Sequence, residues 1–106
     1  MKPLRFVGSS LRDLSKFPDD ARRSAGHQLW QVQLGLTPTD YRPMPLVGAG
    51  CYEIRIHHGG EFRVIYVAKF IDAVYVLHAF QKKTRSTRQW DIELAKRRFR
   101  QIEAEQ

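Results

Sequence analysis

The sequence predicts an α+β domain in the order β-α-α-β-β-β-α, an antiparallel sheet packed against an N-terminal helical hairpin and a C-terminal helix. Three observations predict it. Apolar residues recur at helical spacing from Leu11 to Val32, alternate with polar ones from Cys51 to Phe80, and return to helical spacing from Ile92 to Ile102. The chain has 106 residues, which suits one domain (1–106) with a single modest core.

The elements follow in order. "PLRFVG", Pro3 to Gly8, alternates and predicts a first strand. Ser9 or Ser10 then caps a short helix whose apolar side is Leu11, Leu14 and Phe17. Pro18 ends it and opens a second helix with Asp19 and Asp20, because proline fits a first turn and acids favour that end of the dipole. Ala21, Ala25, Leu29 and Val32 form its apolar stripe, and Gly35 stops it. The stretch from Leu36 to Gly50 is rich in proline and glycine and reads as a long irregular connection with at most one short extended piece. It is no domain boundary, since neither side could bury a core alone. Three strands follow, "CYEIRIH", "EFRVIYV" and "AVYVLHAF". The last helix runs from about Arg88 to Glu103 on the stripe Ile92, Ala95, Phe99 and Ile102, with Thr87 expected at its N-cap. Trp30 and Trp90 are expected to pack the helices.

The hairpin between the first two of those strands has a register that the apolar pattern selects. A two-residue Gly59-Gly60 turn sets Ile56 against Arg63 and mixes the faces. A three-residue loop, His58-Gly59-Gly60, pairs His57 with Glu61, Ile56 with Phe62, Ile54 with Val64 and Tyr52 with Tyr66. Every apolar pair then meets on one face, with Gly60 expected to take the left-handed conformation. Arg55 consequently stands across from Arg63 on the other face. Like charges so placed destabilise a sheet unless something neutralises them. Two readings fit: a solvated ladder in which Glu53 pairs Arg55, or a site for an external anion such as phosphate.

"HAFQKKTRSTRQ", His78 to Gln89, follows the third strand with Lys82, Lys83, Arg85 and Arg88 and no acid. If that strand pairs with the Arg63 strand, these cations border the arginine pair. Together they suit an RNA backbone. The overall balance agrees, with 18 Lys+Arg against 11 Asp+Glu and a net charge of +7.

Other chemistry finds less support. Cys51 is the lone cysteine, so no internal disulfide forms and a reducing cytoplasmic setting is expected. No apolar run approaches the roughly 18 residues of a membrane span, and no signal-peptide pattern opens the chain. The histidines match no metal spacing, so no metal is expected. His78 shares strand parity with Val74, Val76 and Phe80; core burial and a proton-transfer role both remain open for it. "GAG" at Gly48 to Gly50 lacks the phosphate-loop spacing, and "VGSS" lacks the context of a nucleophile elbow. The "AKRRFR" run, Ala95 to Arg100, reads as the solvated side of a helix or a partner surface.

"GCYEIRIHHGGEFRVIYV", then "VLHAFQKKTRST" and the helix "DIELAKRRF", resembles the HigB-like branch of the RelE/ParE toxin superfamily, the phage-derived toxin-like proteins. The resemblance is close over the second half of the chain and looser before it. It implies a RelE-like fold and a type II toxin neutralised by a cognate antitoxin, often a small helix-turn-helix DNA-binding protein. It further implies cleavage of messenger RNA in the ribosomal A site without metal or organic cofactor. A ribose 2′-hydroxyl attacks the adjacent phosphate, leaving a 2′,3′-cyclic phosphate and a 5′-hydroxyl. By the same resemblance Arg63 stabilises the phosphate and Arg55 is the basic residue of the preceding strand. Lys82 and Lys83 hold the RNA or the scissile phosphate. Glu53 is a general base or the partner of Arg55, His78 is a further catalytic candidate, and Arg85 and Arg88 contact RNA. Two positions depart from the pattern: Arg88 stands where proline often follows Lys-Lys-Thr, and no C-terminal tyrosine is present to act as acid or base. The alternatives are a ParE-like inhibitor that binds DNA gyrase without cutting nucleic acid, and a non-enzymatic basic module that binds RNA or protein.

Overall fold

A computed structural model describes all residues, Met1–Gln106. The chain forms β1 (Leu4–Phe6), α1 (Ser10–Ser15), α2 (Asp19–Gln33), β2 (Tyr41–Pro43), β3 (Cys51–His57), β4 (Glu61–Val67), β5 (Val74–Lys82) and α3 (Gln89–Ala104). The strands make one sheet in the order β1-β5-β4-β3-β2. All neighbours are antiparallel except β1 and β5, which are parallel. The short extended piece of the irregular segment is β2, and it supplies the edge beyond β3.

Both long helices start and stop for local reasons. Asp19 and Asp20 occupy the first turn of α2 behind Pro18. At its end Gly35 takes φ +84°. The Gly35 amide donates to Val32 (2.9 Å) and the Leu36 amide to Gln31 (2.9 Å), a Schellman termination that needs the left-handed residue. α3 begins at Gln89 with Arg88, not Thr87, at the N-cap position. Thr87 is committed elsewhere: its hydroxyl donates to Glu53.

Each face of the sheet is covered by a different helix set. Ile54, Ile56, Phe62, Val64, Val74 and Val76 pack under Leu14, Phe17, Ala21, Ala25, Leu29 and Val32 of the helical hairpin. The opposite face buries Cys51, Ile65, Val67, Tyr75 and Leu77 under Ile92, Ala95, Phe99 and Ile102 of α3. The predicted stripes of the two long helices are therefore core, whereas on the predicted stripe of the first helix Leu14 and Phe17 are buried and Leu11 is 51% exposed. Trp30 and Trp90, expected in the packing, instead lie 47% and 67% exposed.

The hairpin register is the one the apolar pairs select, with His57 opposite Glu61, Ile54 opposite Val64 and Arg55 opposite Arg63. Both turn glycines have positive φ, +67° at Gly59 and +146° at Gly60. Gly59, not Gly60, holds the compact left-handed conformation.

β5 departs from strict alternation. Ile65 pairs with His78 but Tyr66 pairs with Val76, so Leu77 is an extra residue that forms a bulge. Val74 and Val76 face the helical hairpin, whereas His78 is opposite Ile65 and Phe80 is opposite Arg63. The parity shared by His78 with Val74 and Val76 in the sequence is thus broken, and His78, Phe80 and Lys82 move to the arginine face. The Leu77 and Val76 carbonyls take partners from other segments. Arg98 donates to the Leu77 carbonyl (2.9 Å), Ser10 donates to Val76 (3.1 Å), and the Val7 amide donates to Val76 (3.0 Å). Arg98, read from the sequence as part of a solvated run, is a clamp on the bulge.

Candidate nucleic-acid interface

α3 covers one half of its sheet face and ends its first turn beside β5. The other half is left to polar side chains from β2, β3, β4 and β5. Strand alternation places Arg42, Glu53, Arg55, His57, Glu61, Arg63 and Lys82 there.

These groups form one chain of alternating charge. Arg55 pairs with Asp40 at 2.9 Å, Asp40 with His57 at 2.8 Å, and His57 with Glu61 at 2.8 Å. Glu61 in turn pairs with Arg63 at 3.1 Å, Arg63 with Glu53 at 3.7 Å, and Glu53 with Arg42 at 3.2 Å. An acid therefore stands next to each arginine of the opposed pair, which removes the repulsion their register creates. The partner of Arg55 is Asp40, from the irregular segment, and not Glu53.

Glu53 is the most deeply buried member of this chain, with no exposed surface. Its carboxylate accepts from the Thr87 hydroxyl at 2.9 Å and from Arg42 Nε at 3.2 Å. A buried carboxylate needs such partners, since an unpaired one costs several kcal/mol. Arg63 is 4% exposed, so the solvent-facing arginine expected from alternation is in fact enclosed. Its Nη1 donates to the Phe62 carbonyl (2.9 Å) and its Nη2 to Glu61 (3.1 Å), while Nε makes no hydrogen bond.

His57 is half-exposed and has a carboxylate on each ring nitrogen, Glu61 on Nδ1 and Asp40 on Nε2. Both nitrogens must then donate, which describes an imidazolium. The hydrogen bonds it donates to Glu61 and then to Asp40 raise its pKa above the ordinary histidine value. The same contact with His57 is the main cause holding Glu61 and Asp40 below their ordinary values.

His78 lies on this face but apart from the chain. It is 3% exposed, its Nε2 is 2.7 Å from Asp91 Oδ1, and its ring stacks on Phe80 at 4.7 Å. Burial depresses its pKa and outweighs the opposing effect of Asp91. Above that lowered value His78 is a neutral imidazole, and its shift is opposite in sign to that of His57.

The turn after β5 behaves differently from the arginines. Lys83, Arg85 and Arg88 are exposed, and Lys82 donates to the Arg85 carbonyl at 2.8 Å. None of the four has an acid within ion-pair distance. Lys82 is opposite Glu61 in the strand register, so this unpaired charge adjoins the arginine network. Sequence reasoning missed Asp40, Arg42, His57, Glu61 and Thr87 as members of the site. His57 and Glu61 were within reach, because the hairpin register already pairs them. Asp40 and Arg42 were not, since only β2 brings them to the sheet.

Comparison with known proteins agrees with this architecture. The family model described as "Phage derived protein Gp49-like" matches residues 12–100. No curated protein matches the chain significantly. Among solved structures, a free-state double arginine-to-alanine variant of the E. coli toxin RelE aligns with TM-score 0.63 at 18% identity, covering 95% of this chain and 97% of that one. The toxin–antitoxin complex RelBE2 from Mycobacterium tuberculosis aligns with TM-score 0.52 at 19% identity, covering 76% of this chain and 98% of the matched chain. These likenesses establish a RelE-type fold. No helix is long and apolar enough to cross a membrane.

Proposed function

The chain belongs to the phage-derived Gp49-like family, and from that premise we propose that it is the toxin of a toxin–antitoxin pair and cuts messenger RNA on the ribosome. The observation that carries this reading is the adjacency of an acid-free cationic turn, Lys82 to Arg88, to the Arg63 network on one sheet face.

In this mechanism a ribose 2′-hydroxyl attacks the neighbouring phosphorus and the 5′-oxygen leaves, giving a 2′,3′-cyclic phosphate and a 5′-hydroxyl. Negative charge grows on the non-bridging oxygens, where prearranged cations act most strongly. Arg63 meets them through Nη2, the edge now occupied by Glu61, which is the half-exposed carboxylate of its two partners. Phosphate displaces Glu61 there. Glu53 is too deep to touch RNA and serves to position Arg63. Arg55, Lys82 and Lys83 hold the flanking phosphates, with Arg85 and Arg88 on the approach. His57, an imidazolium on the same face, donates the proton to the leaving oxygen, and the displaced Glu61 carboxylate accepts the proton of the attacking 2′-hydroxyl. His78 holds no exposed proton and takes no part in that transfer. This chemistry calls for no metal or organic cofactor.

The RelBE2 structure is of a toxin–antitoxin complex, and by analogy this chain is held inactive by a cognate antitoxin, a small helix-turn-helix DNA-binding protein. Its targets, ribosome and messenger RNA, place its action in the cytoplasm.

One observation favours a second reading. Arg63 is enclosed and flanked by two acids, as a purely structural arginine would be. A ParE-like inhibitor that binds DNA gyrase without cutting RNA fits that state. Brief induction in bacteria with mapping of new RNA 5′-hydroxyl ends decides between them, with Lys83→Ala/Arg88→Ala as the control. Growth arrest with new ends inside reading frames, reduced in the control, supports the nuclease. Arrest without new ends supports gyrase.

A further inference from the structure

The cleft between α1 and the first turn of α3 is walled in part by a residue that carries an unexplained polar atom. His78 forms part of its wall, and the ring's Nδ1 is buried without a hydrogen-bond partner. The Asp91 carboxylate on Nε2 makes that nitrogen the donor, so Nδ1 is left as a bare acceptor. A buried acceptor without a donor is rare and costly, and one beside a cavity points to a ligand that supplies the donor.

The cavity is about 500 Å³, within the usual range for small-molecule sites. Phe17, Phe62, Phe80 and Trp90 supply its aromatic wall and Lys16 its rim. Trp90 is 67% exposed and stands edge-on to His78 at 5.9 Å. An exposed indole beside a buried acceptor is suited to an unpaired base, which needs one stacking face and one edge contact. A second cavity of about 100 Å³ shares Phe80, Gln81, Trp90 and Asp91 and adds Lys82, Lys83 and Arg88. The acids nearby are already engaged, Asp91 by His78 and Asp13 by the Ser9 hydroxyl at 2.7 Å.

We propose that this cleft is a nucleobase subsite, in which one unpaired base of a single-stranded RNA stacks on Trp90 and donates an N–H to Nδ1 of His78. The phosphate of that nucleotide lies against Lys82, Lys83 and Arg88. The inference rests on the RNA reading above and adds to it a place where base identity is read. A base edge without an N–H donor leaves His78 unsatisfied and binds more weakly.

The test separates binding from cleavage. Short 2′-O-methyl oligonucleotides cannot be cut by 2′-hydroxyl attack, so they report the subsite alone. They are titrated into the full chain carrying Trp30→Phe, with Trp90 fluorescence and the ¹⁵N resonance of His78 Nδ1 as readouts. Expected are quenching of Trp90 and an upfield move of the Nδ1 signal. Trp90→Ala, at an exposed position, is expected to keep the fold and weaken binding about tenfold. Replacing adenine by purine lacking the 6-amino group is expected to weaken binding about fivefold. Absence of binding, or binding that moves neither Trp90 nor His78, overturns the subsite. So does an Nδ1 signal already hydrogen-bonded in the free protein and unchanged by the oligonucleotide, which would mark a resident water. The nuclease reading stands or falls separately, on the 5′-end mapping.

Discussion

Arg55 and Arg63 stand directly opposite each other on neighbouring strands, and each has its own acid: Asp40 for Arg55, Glu61 and Glu53 for Arg63. The pair is therefore not two free cations awaiting an anion. It belongs to a charge-alternating chain that runs from Arg55 to Arg42, both part-exposed, and is buried between them at Arg63 and Glu53.

Glu53→Gln tests the buried part of the chain. Removing this charge leaves the enclosed Arg63 with Glu61 alone, and breaking a buried pair from one side costs about 3–5 kcal/mol. Urea unfolding followed by circular dichroism should show a midpoint well below that of the wild type. An unchanged midpoint means that Glu53 does not carry the positioning of Arg63.

Arg63→Ala is expected to cost stability through the lost packing of an enclosed side chain, while Glu53 keeps Arg42 and the Thr87 hydroxyl as partners. A surface arginine would show no such loss. Arg63→Lys is the sharper variant, since it keeps the charge near Glu53 but loses the planar fork. It should retain most of the stability while cleavage falls about 100-fold, as when one transition-state donor is removed. Wild-type cleavage by the lysine variant removes Arg63 from the chemistry.

His57 gives a pH signature of known sign. Its pKa is raised by Glu61 and Asp40, so its contribution is fully present below the unfolded value near 6.5 and lost as pH rises through the higher folded value. Glu61 and Asp40 have lowered values, so theirs is present above the unfolded values near 4.5 and 3.8 and lost as pH falls through the folded ones. His78, depressed by burial, acts in the opposite sense to His57. The difference between wild type and His57→Gln isolates the network: it should be largest near pH 5–6 and shrink towards pH 8–9. NMR titration should place the His57 midpoint above 6.5, and a midpoint at or below that value contradicts the doubly bridged imidazolium.

The cationic turn should behave as a pure binding element. Lys83 and Arg88 are exposed and have no ion-pair partner, so alanine at either should change stability by less than about 0.5 kcal/mol. Each substitution should weaken RNA binding and lower the salt slope by about 1, as read by anisotropy across salt concentrations. Unaltered slopes place the nucleic acid elsewhere.

Gly8→Ala addresses the bulge. Gly8 has φ +57°, and an added Cβ falls 2.8 Å from the Arg98 guanidinium that clamps Leu77. Backbone strain and the displaced clamp should together cost about 1–3 kcal/mol. The His78–Asp91 contact should loosen, visible as a changed His78 Nε2 resonance; an unaltered resonance means the bulge does not depend on the clamp.

What the sequence by itself determined is the part that repeats with a local period. Apolar alternation with the three-residue turn was enough to set Arg55 against Arg63, because a one-residue slip would turn the whole apolar set to the wrong face. The helical stripes, the stop at Gly35 and the acid-free turn were legible for similar reasons. Only the tertiary structure decided the rest. The Leu77 bulge, which carries His78 and Lys82 to the arginine face, depends on Arg98, Ser10 and Val7 from distant segments. The charge chain depends on Asp40 and Arg42, carried to the sheet by a segment with no period of its own. Burial of Glu53 and Arg63 goes with the neighbours that tertiary contacts bring to them, Arg42 from β2 and Thr87, which leaves the helix cap to meet Glu53. Periodicity reports which face a side chain takes. Whether that face is wet, and which charge waits across it, is set by chain that arrives from elsewhere.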